Sequence, residues 1–481
     1  MIKLQEYKID KNLDSNETYL NLKKFIDEYT NNSTNLNFIK KVSEKFNIPE
    51  NIIKLKFKRL VYNEFNPSTC KFKHQNKFQL ILNFINFILK IFIIKIIGKK
   101  NFKQRKYDII IDEVDNERQF NKFENLLKKF KNPIIFTSKK DVAFKAKSEG
   151  YSNIVYHKTI PNHKILSKKF LKTLIFMFQI LKTSFNEEEN YINFYQKIIF
   201  SILKNETLFS KSISNIILQD RFYINCPIKN FIFKKYGGKK IISCQYHLAE
   251  SGICFYSDID ILFSFGDEKK TEEKLKIFGS RIENSYPIGS LEMEREFYYE
   301  SKNFNEIEDN IDLLIIGINP SHWIKISKKI HESYYRYLKW IRDFAKTNPK
   351  IKIVYKHHTS FKGDKKEDEI LKFSNIKILK EGNSYKYLKK SKVVISYGST
   401  MILEGLSLKK KCFFVDPDSS ATTFYSYHNF EKYFILNSYD EFCKKILDNS
   451  NSNENLNLNF ERMCLESENV SNNIYDNIIK L

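Results

Sequence analysis

The sequence predicts an α/β fold: two Rossmann-like domains facing a cleft, preceded by a helical N-terminal region. Three observations predict it. From Tyr107 to Leu447, apolar runs of strand length alternate with amphipathic segments of helix length, the pattern of βαβ units. Residues 295–310 are charged, lack an apolar period and read as a linker, splitting that alternation in two. Residues 391–416 then run strand, small-residue turn, helix, strand, a βαβ unit whose crossover is right-handed. The chain divides into a helical region at 1–100, a first α/β domain at 101–300, a second at 301–450, and a polar tail at 451–481.

The first 60 residues read as polar helices, broken by Asn-Asn-Ser-Thr-Asn at 31–35. Phe38–Leu60 has the rhythm of helix, tight turn at Asn47–Pro49, and basic second helix, which suits either an αα-hairpin or a helix-turn-helix reader of DNA. Residues 78–97 form the most apolar window. Gln79, Asn83, Asn86 and Lys90 recur there at steps of four, three and four and draw one polar stripe down a helix. A basic cluster follows, Lys99, Lys100, Lys103, Arg105 and Lys106, so this helix is expected either on an anionic membrane surface or packed on the domain after it.

In the first half, Asp108–Asp112, Pro133–Thr137 and Asn153–Tyr156 read as strands, with helices at Glu117–Phe130 and Val142–Glu149. Residues 165–217 read as one or two long helices. Strands resume at Lys240–Gln245, Ile259–Phe265 and Tyr286–Ile288, the last ending in Gly289-Ser290. In the second half, strand Ile311–Ile318 is followed by the turn Asn319-Pro320-Ser321, helix Ser327–Lys346 and strand Lys350–Tyr355. Then come helix Glu367–Phe373, strand Ile376–Leu379, helix Ser384–Lys390, the unit at 391–416, strand Tyr433–Leu436 and a capped helix from Ser438 to Leu447.

A chain of 481 residues is long enough for two or three cores. The 81 basic against 57 acidic residues give a formal charge of +24, suited to an anionic partner such as nucleic acid, lipid head groups or a phosphorylated substrate. The seven cysteines show no C-x-x-C pair, and the first ten residues have no apolar signal-peptide core, so a reduced cytoplasmic location is expected.

Chemistry concentrates at predicted strand ends, where open α/β sheets bind ligands. Lys356, His357 and His358 follow a strand directly and supply donor or cationic groups for a phosphate. Gly398, Ser399 and Thr400 open a helix, where small residues, hydroxyls and backbone N–H groups suit the same anion, and Glu404 lies one turn further to accept from ribose hydroxyls. Asn319 and Ser321 occupy the first turn of the same half. In the first half, His247 and Glu250 lie in the loop after Cys244 and are candidate bases toward an acceptor hydroxyl. Asp258-Ile259-Asp260 reads as a strand boundary, and no metal is expected.

Lys-His-His after one strand and Ser-Tyr-Gly-Ser-Thr-x-x-x-Glu-Gly after another, in the second of two Rossmann-like halves, resembles the GT-B glycosyltransferases, most of all those making bacterial capsule or lipopolysaccharide. The resemblance covers roughly residues 105–448. In several sialyl- and polysialyl-type enzymes of that superfamily a His-Pro motif and a Ser-Ser or Ser-Thr motif surround the phosphate of a CMP-sugar. Here His357-His358 stands in place of His-Pro, and Ser399-Thr400 matches. The resemblance implies metal-independent transfer, without a cofactor, from a nucleotide sugar held by the second half to a glycan or lipid-linked acceptor held by the first. The helix at 78–97 with its basic cluster leads to the expectation of a cytoplasmic protein peripheral on the inner face of the cell membrane. Two alternatives remain: a sugar-nucleotide 2-epimerase of the same architecture, and a nucleic-acid-binding protein using Phe38–Leu60.

Overall fold

The computed structural model describes residues 3–4, 7, 15–66, 71–72, 76–97, 104–156, 170–187, 189, 191–220, 226–245, 256–266, 276–277, 279–299, 310–319, 328–358, 361, 363–372, 375–419, 434–448 and 464–481. Helices α1 (Ser15–Thr30), α2 (Ser33–Phe46), α3 (Glu50–Glu64) and α4 (Lys77–Ile97) precede the first sheet. Its strands are β1 (Ile110–Asp112), β2 (Ile134–Thr137), β3 (Ile154–Tyr156), β4 (Ile216–Gln219), β5 (Lys240–Cys244), β6 (Asp258–Ser264) and β7 (Arg281–Pro287). Between them run α5 (Glu117–Leu127), α6 (Lys140–Ser148), α7 (Phe170–Glu187), α8 (Tyr191–Phe209) and α9 (Pro227–Lys235). All the pairings are parallel, in the order β3-β2-β1-β4-β5-β6-β7, a doubly wound sheet whose winding reverses between β1 and β4.

The second sheet holds β8 (Ile311–Ile316), β9 (Ile353–Lys356), β10 (Ile376–Leu379), β11 (Ser391–Ser396), β12 (Lys411–Val415) and β13 (Ile435–Leu436). Its order is β10-β9-β8-β11-β12-β13, again all parallel, with the reversal between β8 and β11. It is covered by α10 (Lys328–Thr347), α11 (Lys365–Leu371), α12 (Ser384–Lys390), α13 (Met401–Ser407) and α14 (Tyr439–Leu447). The two Rossmann-like halves expected from sequence are therefore the architecture of the molecule.

Three elements depart from the sequence reading. The stretch at 165–217 holds two helices and then runs into the central strand β4, which begins at Ile216. Four residues, Ile-Ile-Leu-Gln, are too few for periodicity to separate strand from helix. Strand β7 is longer than its apolar end because Arg281, Glu283 and Asn284 line an exposed sheet edge, where polar residues are tolerated. The polar tail contains α15 (Val470–Ile479), which crosses back to pack Val470, Ile474 and Ile478 into the core beneath α5 of the first half.

The N-terminal helices share one core with the first sheet. Ile53 and Phe57 of α3, Phe87 of α4, Ile198 of α8, and Ile217 and Ile259 of the sheet are all buried in it, each stabilising by roughly 1.5–3 kcal/mol. The α2–α3 turn closes on Asn47 at φ 52, ahead of Pro49. Helix α3 packs on α1, α2, α8 and α9, and Lys58 is held by Asp27 at 2.6 Å. This is an αα-hairpin whose second helix serves the core. Helix α4 buries Leu80, Phe84, Phe87, Ile91 and Ile94 toward α7 and α8, and leaves the opposite apolar face bare.

Candidate functional site at the facing sheet edges

The carboxyl edges of the two sheets meet. Ser290, just beyond β7, donates from Oγ to Glu404 Oε1 of α13 at 2.6 Å. Tyr385 of α12 donates to both oxygens of the same carboxylate, at 2.9 and 3.0 Å. Arg118, in the first turn after β1, is ion-paired with Glu292, and its charge acts on both Glu404 and His358. Arg118, Glu292, Ser290 and Tyr385 were not singled out from sequence. Only the Gly289-Ser290 strand ending hinted at one of them.

Glu404 is buried (3% exposed), and burial pushes its carboxyl up to about 7 despite the Ser290 and Tyr385 hydrogen bonds. Glu292 raises it further and Arg118 opposes. Expected as a partner for ribose hydroxyls, Glu404 has both oxygens engaged, Oε1 across the junction by Ser290 and both by Tyr385 of its own half.

The turn after β11 sits at the switch point of the second sheet. Ser396 donates from Oγ to Ile316 O of β8 at 2.7 Å and accepts from the N–H groups of Gly398 (3.3 Å) and Ser399 (3.1 Å). Met401 N–H is taken by Ser399 Oγ at 3.3 Å. The amides that sequence reasoning aimed at an anion are thus turned into the loop, because a serine at the strand end competes for them. The side chains of Ser399 and Thr400 are half-buried, as is that of Asn319 on the neighbouring β8 end. Tyr397 anchors the turn from below, packed edge-on to Tyr334. Gly317, next to β8, is required by space: a Cβ there would stand 3.0 Å from Lys356 O and 3.2 Å from His357 Cα.

The Lys356-His357-His358 triplet divides by the pleat. Lys356 is buried (1% exposed), and its Nζ donates to His357 O at 3.0 Å. His358 is half-buried, its pKa lowered by burial and by the charges of Arg118 and Lys356, so it faces the junction as a neutral imidazole. His357 turns the other way: its ring packs on Tyr355 and lies 3.6 Å from Glu367 Oε1, against Gly363. Burial lowers its pKa too, and neither ring nitrogen has a hydrogen-bond partner among the described residues. Strand period 2, carried two residues past β9, puts Tyr355 and His357 on one face with Lys356 and His358 on the other.

The first half has its own switch point, and it is charged. Lys229 bridges Asp112 (2.6 Å) and Glu113 (3.2 Å) at the end of β1, and Lys122 pairs with the buried Asp220 after β4. Glu113 stands at φ 65, a strained conformation for a side chain of this kind. Burial, with the neighbouring Asp112, pushes its carboxyl up to about 8 against the pull of Lys229. His247, Glu250 and Ser321 lie outside the described residues. Gln245 locks the ends of β5 and β6 together, donating its N–H to Phe263 O and accepting from Phe265 N–H, both at 2.8 Å. Asp258 and Asp260 lie at the opposite, amino edge, engaged by Arg281 and Lys234.

The chain matches no protein-family profile and no curated protein sequence. Solved structures resemble it in chain path. The UDP-GlcNAc 2-epimerase from Methanocaldococcus jannaschii has a TM-score of 0.47 at 10% identity, covering 78% of this chain and 100% of its own. That from Neisseria meningitidis, bound to UDP-GlcNAc, has a TM-score of 0.45 at 11% identity, with the same coverages. The wall teichoic acid polymerase TagF has a TM-score of 0.45 at 12% identity, covering 84% and 97%.

Proposed function

We propose that the protein is a glycosyltransferase that moves a sugar from a nucleotide-activated donor to a surface-glycan or lipid-linked acceptor. The observation that carries this reading is the convergence, at the second half's switch point, of Lys356, His358, Ser399, Thr400 and Asn319, with Arg118 arriving from the other half. Cations and hydroxyls at such an edge suit a donor phosphate, whose negative charge grows as the sugar leaves. The buried Lys356 ammonium and the hydroxyls of Ser399 and Thr400 would stabilise that charge without a metal. A base from the first half would take the acceptor's proton, with Glu113 now standing beside His247 and Glu250 as a candidate. Closure of the halves through Ser290 and Glu404 would exclude water. The bare apolar face of α4 supports attachment to the cytoplasmic membrane surface, where a lipid-linked acceptor lies.

The test is a thermal-shift panel of CMP, CDP, UDP and GDP. One nucleotide class should raise the melting temperature of the wild type and fail to do so for Lys356→Ala and Ser399→Ala. No shift of the wild type by any nucleotide defeats the donor-site reading. A second reading, sugar-nucleotide 2-epimerase, is favoured by the acidic groups Glu292 and Glu404 at the junction. It requires an epimer to appear when the protein is incubated with a nucleotide sugar alone.

A further inference from the structure

A bare apolar surface and a cationic cavity lie side by side on the first half. Ile85 and Leu89 of α4 are 46% and 53% exposed, and Ile175 and Phe178 of α7 are 51% and 54% exposed. The Phe84 and Phe178 rings touch, with centroids 4.7 Å apart, so the two helices present one continuous face. Contiguous apolar surface of this kind marks an interaction site.

The polar stripe of α4 borders that face and opens into a cavity of about 540 Å³ between α4, α8 and the start of α9. Asn86, Lys90, Lys197, Lys204, Asn205 and Lys229 line it. Lys197 is paired with Glu64 at 2.7 Å, and Lys229 with Asp112 and Glu113. Lys90 and Lys204 have no carboxylate within ion-pair distance among the described residues. Lys90 lies over the Phe200 ring at 5.6 Å, and Lys204 feels Asp112 and Asp115 only at longer range. Burial, and then the charge of Lys229, lower the pKa of Lys204, a strain that an anion would relieve. Asn205, 3% exposed, spends its Nδ2 on Ser201, while its buried Oδ1 has no partner among the described residues. A ligand hydroxyl would meet that acceptor.

We propose that this cavity takes the phosphate head group of an anionic membrane lipid, with the lipid chains against the α4–α7 face. Lysines serve phosphate as point charges on flexible stems, and on a membrane-lying helix their stems run along the apolar surface to the head-group level. The cavity extends to Lys229 and hence to the end of β1, which places the bound head group beside the edge of the sheet assigned to the acceptor. The proposal rests on the membrane-surface reading above and is independent of the donor site.

The test is vesicle flotation of the full chain with phosphatidylcholine alone and with phosphatidylcholine containing phosphatidic acid. Wild type should float with the acidic vesicles. Lys90→Met/Lys204→Met should lose about twentyfold in partition to them. Lys365→Met/Lys372→Met, which removes equal charge from the second half, should float as wild type does. Ile85→Asn/Leu89→Asn should also lose binding to the acidic vesicles. Equal losses from the two lysine pairs would mean diffuse surface attraction and overturn the site. Wild-type flotation by Lys90→Met/Lys204→Met also overturns it. So does a result in which inorganic phosphate raises the melting temperature of wild type but not of that variant while no vesicle binds, since the cavity then serves a soluble anion. Far-UV circular dichroism and the nucleotide panel, run on the same variants, separate misfolding and failure of the donor reading from failure of this one.

Discussion

The two switch points share a topology and differ in chemistry. At the first, between β1 and β4, carboxylates and ammoniums are buried in pairs: Asp112 and Glu113 with Lys229, and Asp220 with Lys122. At the second, between β8 and β11, the strands are joined by a neutral hydroxyl, that of Ser396, and the charge is held one strand away on Lys356. A buried ion pair resists the loss of either partner, because the survivor is left charged in a poor solvent. A hydroxyl staple costs less to remove and leaves the edge free to receive charge from a ligand. The contrast separates an edge held by buried ion pairs from one joined by a hydroxyl, the edge to which the donor is assigned in the proposed function.

Lys229→Met breaks this comparison most severely. It strands the buried Asp112 carboxylate and the Glu113 carboxyl beside it at the end of β1 and should cost about 3–5 kcal/mol, read as a lowered urea midpoint. A loss under about 1 kcal/mol would mean that the first switch point is not held by its ion pairs. Lys356→Ala tests the opposite edge. It should lower turnover by roughly a hundredfold and abolish the nucleotide-induced rise in melting temperature, while moving the urea midpoint less than Lys229→Met does.

Glu404 sharpens the comparison through pH. Its carboxyl sits near 7 in the fold against about 4.5 unfolded, so the folded state binds more protons between those values. Stability therefore falls as pH rises from about 4.5 to 7, by roughly 3 kcal/mol from this group, and the contribution is level above that. Glu404→Gln should flatten that part of the stability profile. An unchanged slope would show that the junction does not hold the carboxyl protonated. Glu113, near 8, acts in the same direction and extends the fall further up in pH.

The smallest effect separates two serines of one turn. Ser396→Ala removes the bond to Ile316 and the acceptor for two amides, and should destabilise by about 1–2 kcal/mol. Ser399→Ala should leave the urea midpoint nearly unchanged and reduce nucleotide binding instead. Equal destabilisation by both would make the turn structural throughout.

Much of this was legible in the chain. Apolar runs such as Val393–Ile395 and Cys412–Val415 are buried on both faces of a parallel sheet, which is why they read as strands without context. The split of Lys356 and His358 from His357 was also present in the sequence, in the alternation of a pleated strand, although three basic residues in a row suggested one cluster. The engagement of Glu404 was not legible. Its partners Ser290 and Tyr385 lie 114 and 19 residues away, and no local pattern records which of them the packing brings within hydrogen-bond distance.

The sequence by itself determined the two α/β halves, the second half's run of strands and helices, and the position of the turn at 396–400, because those follow from local periodicity and turn chemistry. Tertiary structure alone decided that α3 is a core helix, that α15 returns to the first half, that Arg118 pairs with Glu292 where its charge reaches Glu404, and that Lys90 and Lys204 share a cavity beside an apolar face. Each of these depends on contacts between residues far apart in the chain, and such contacts are fixed by the packing of whole elements rather than by the residues beside them.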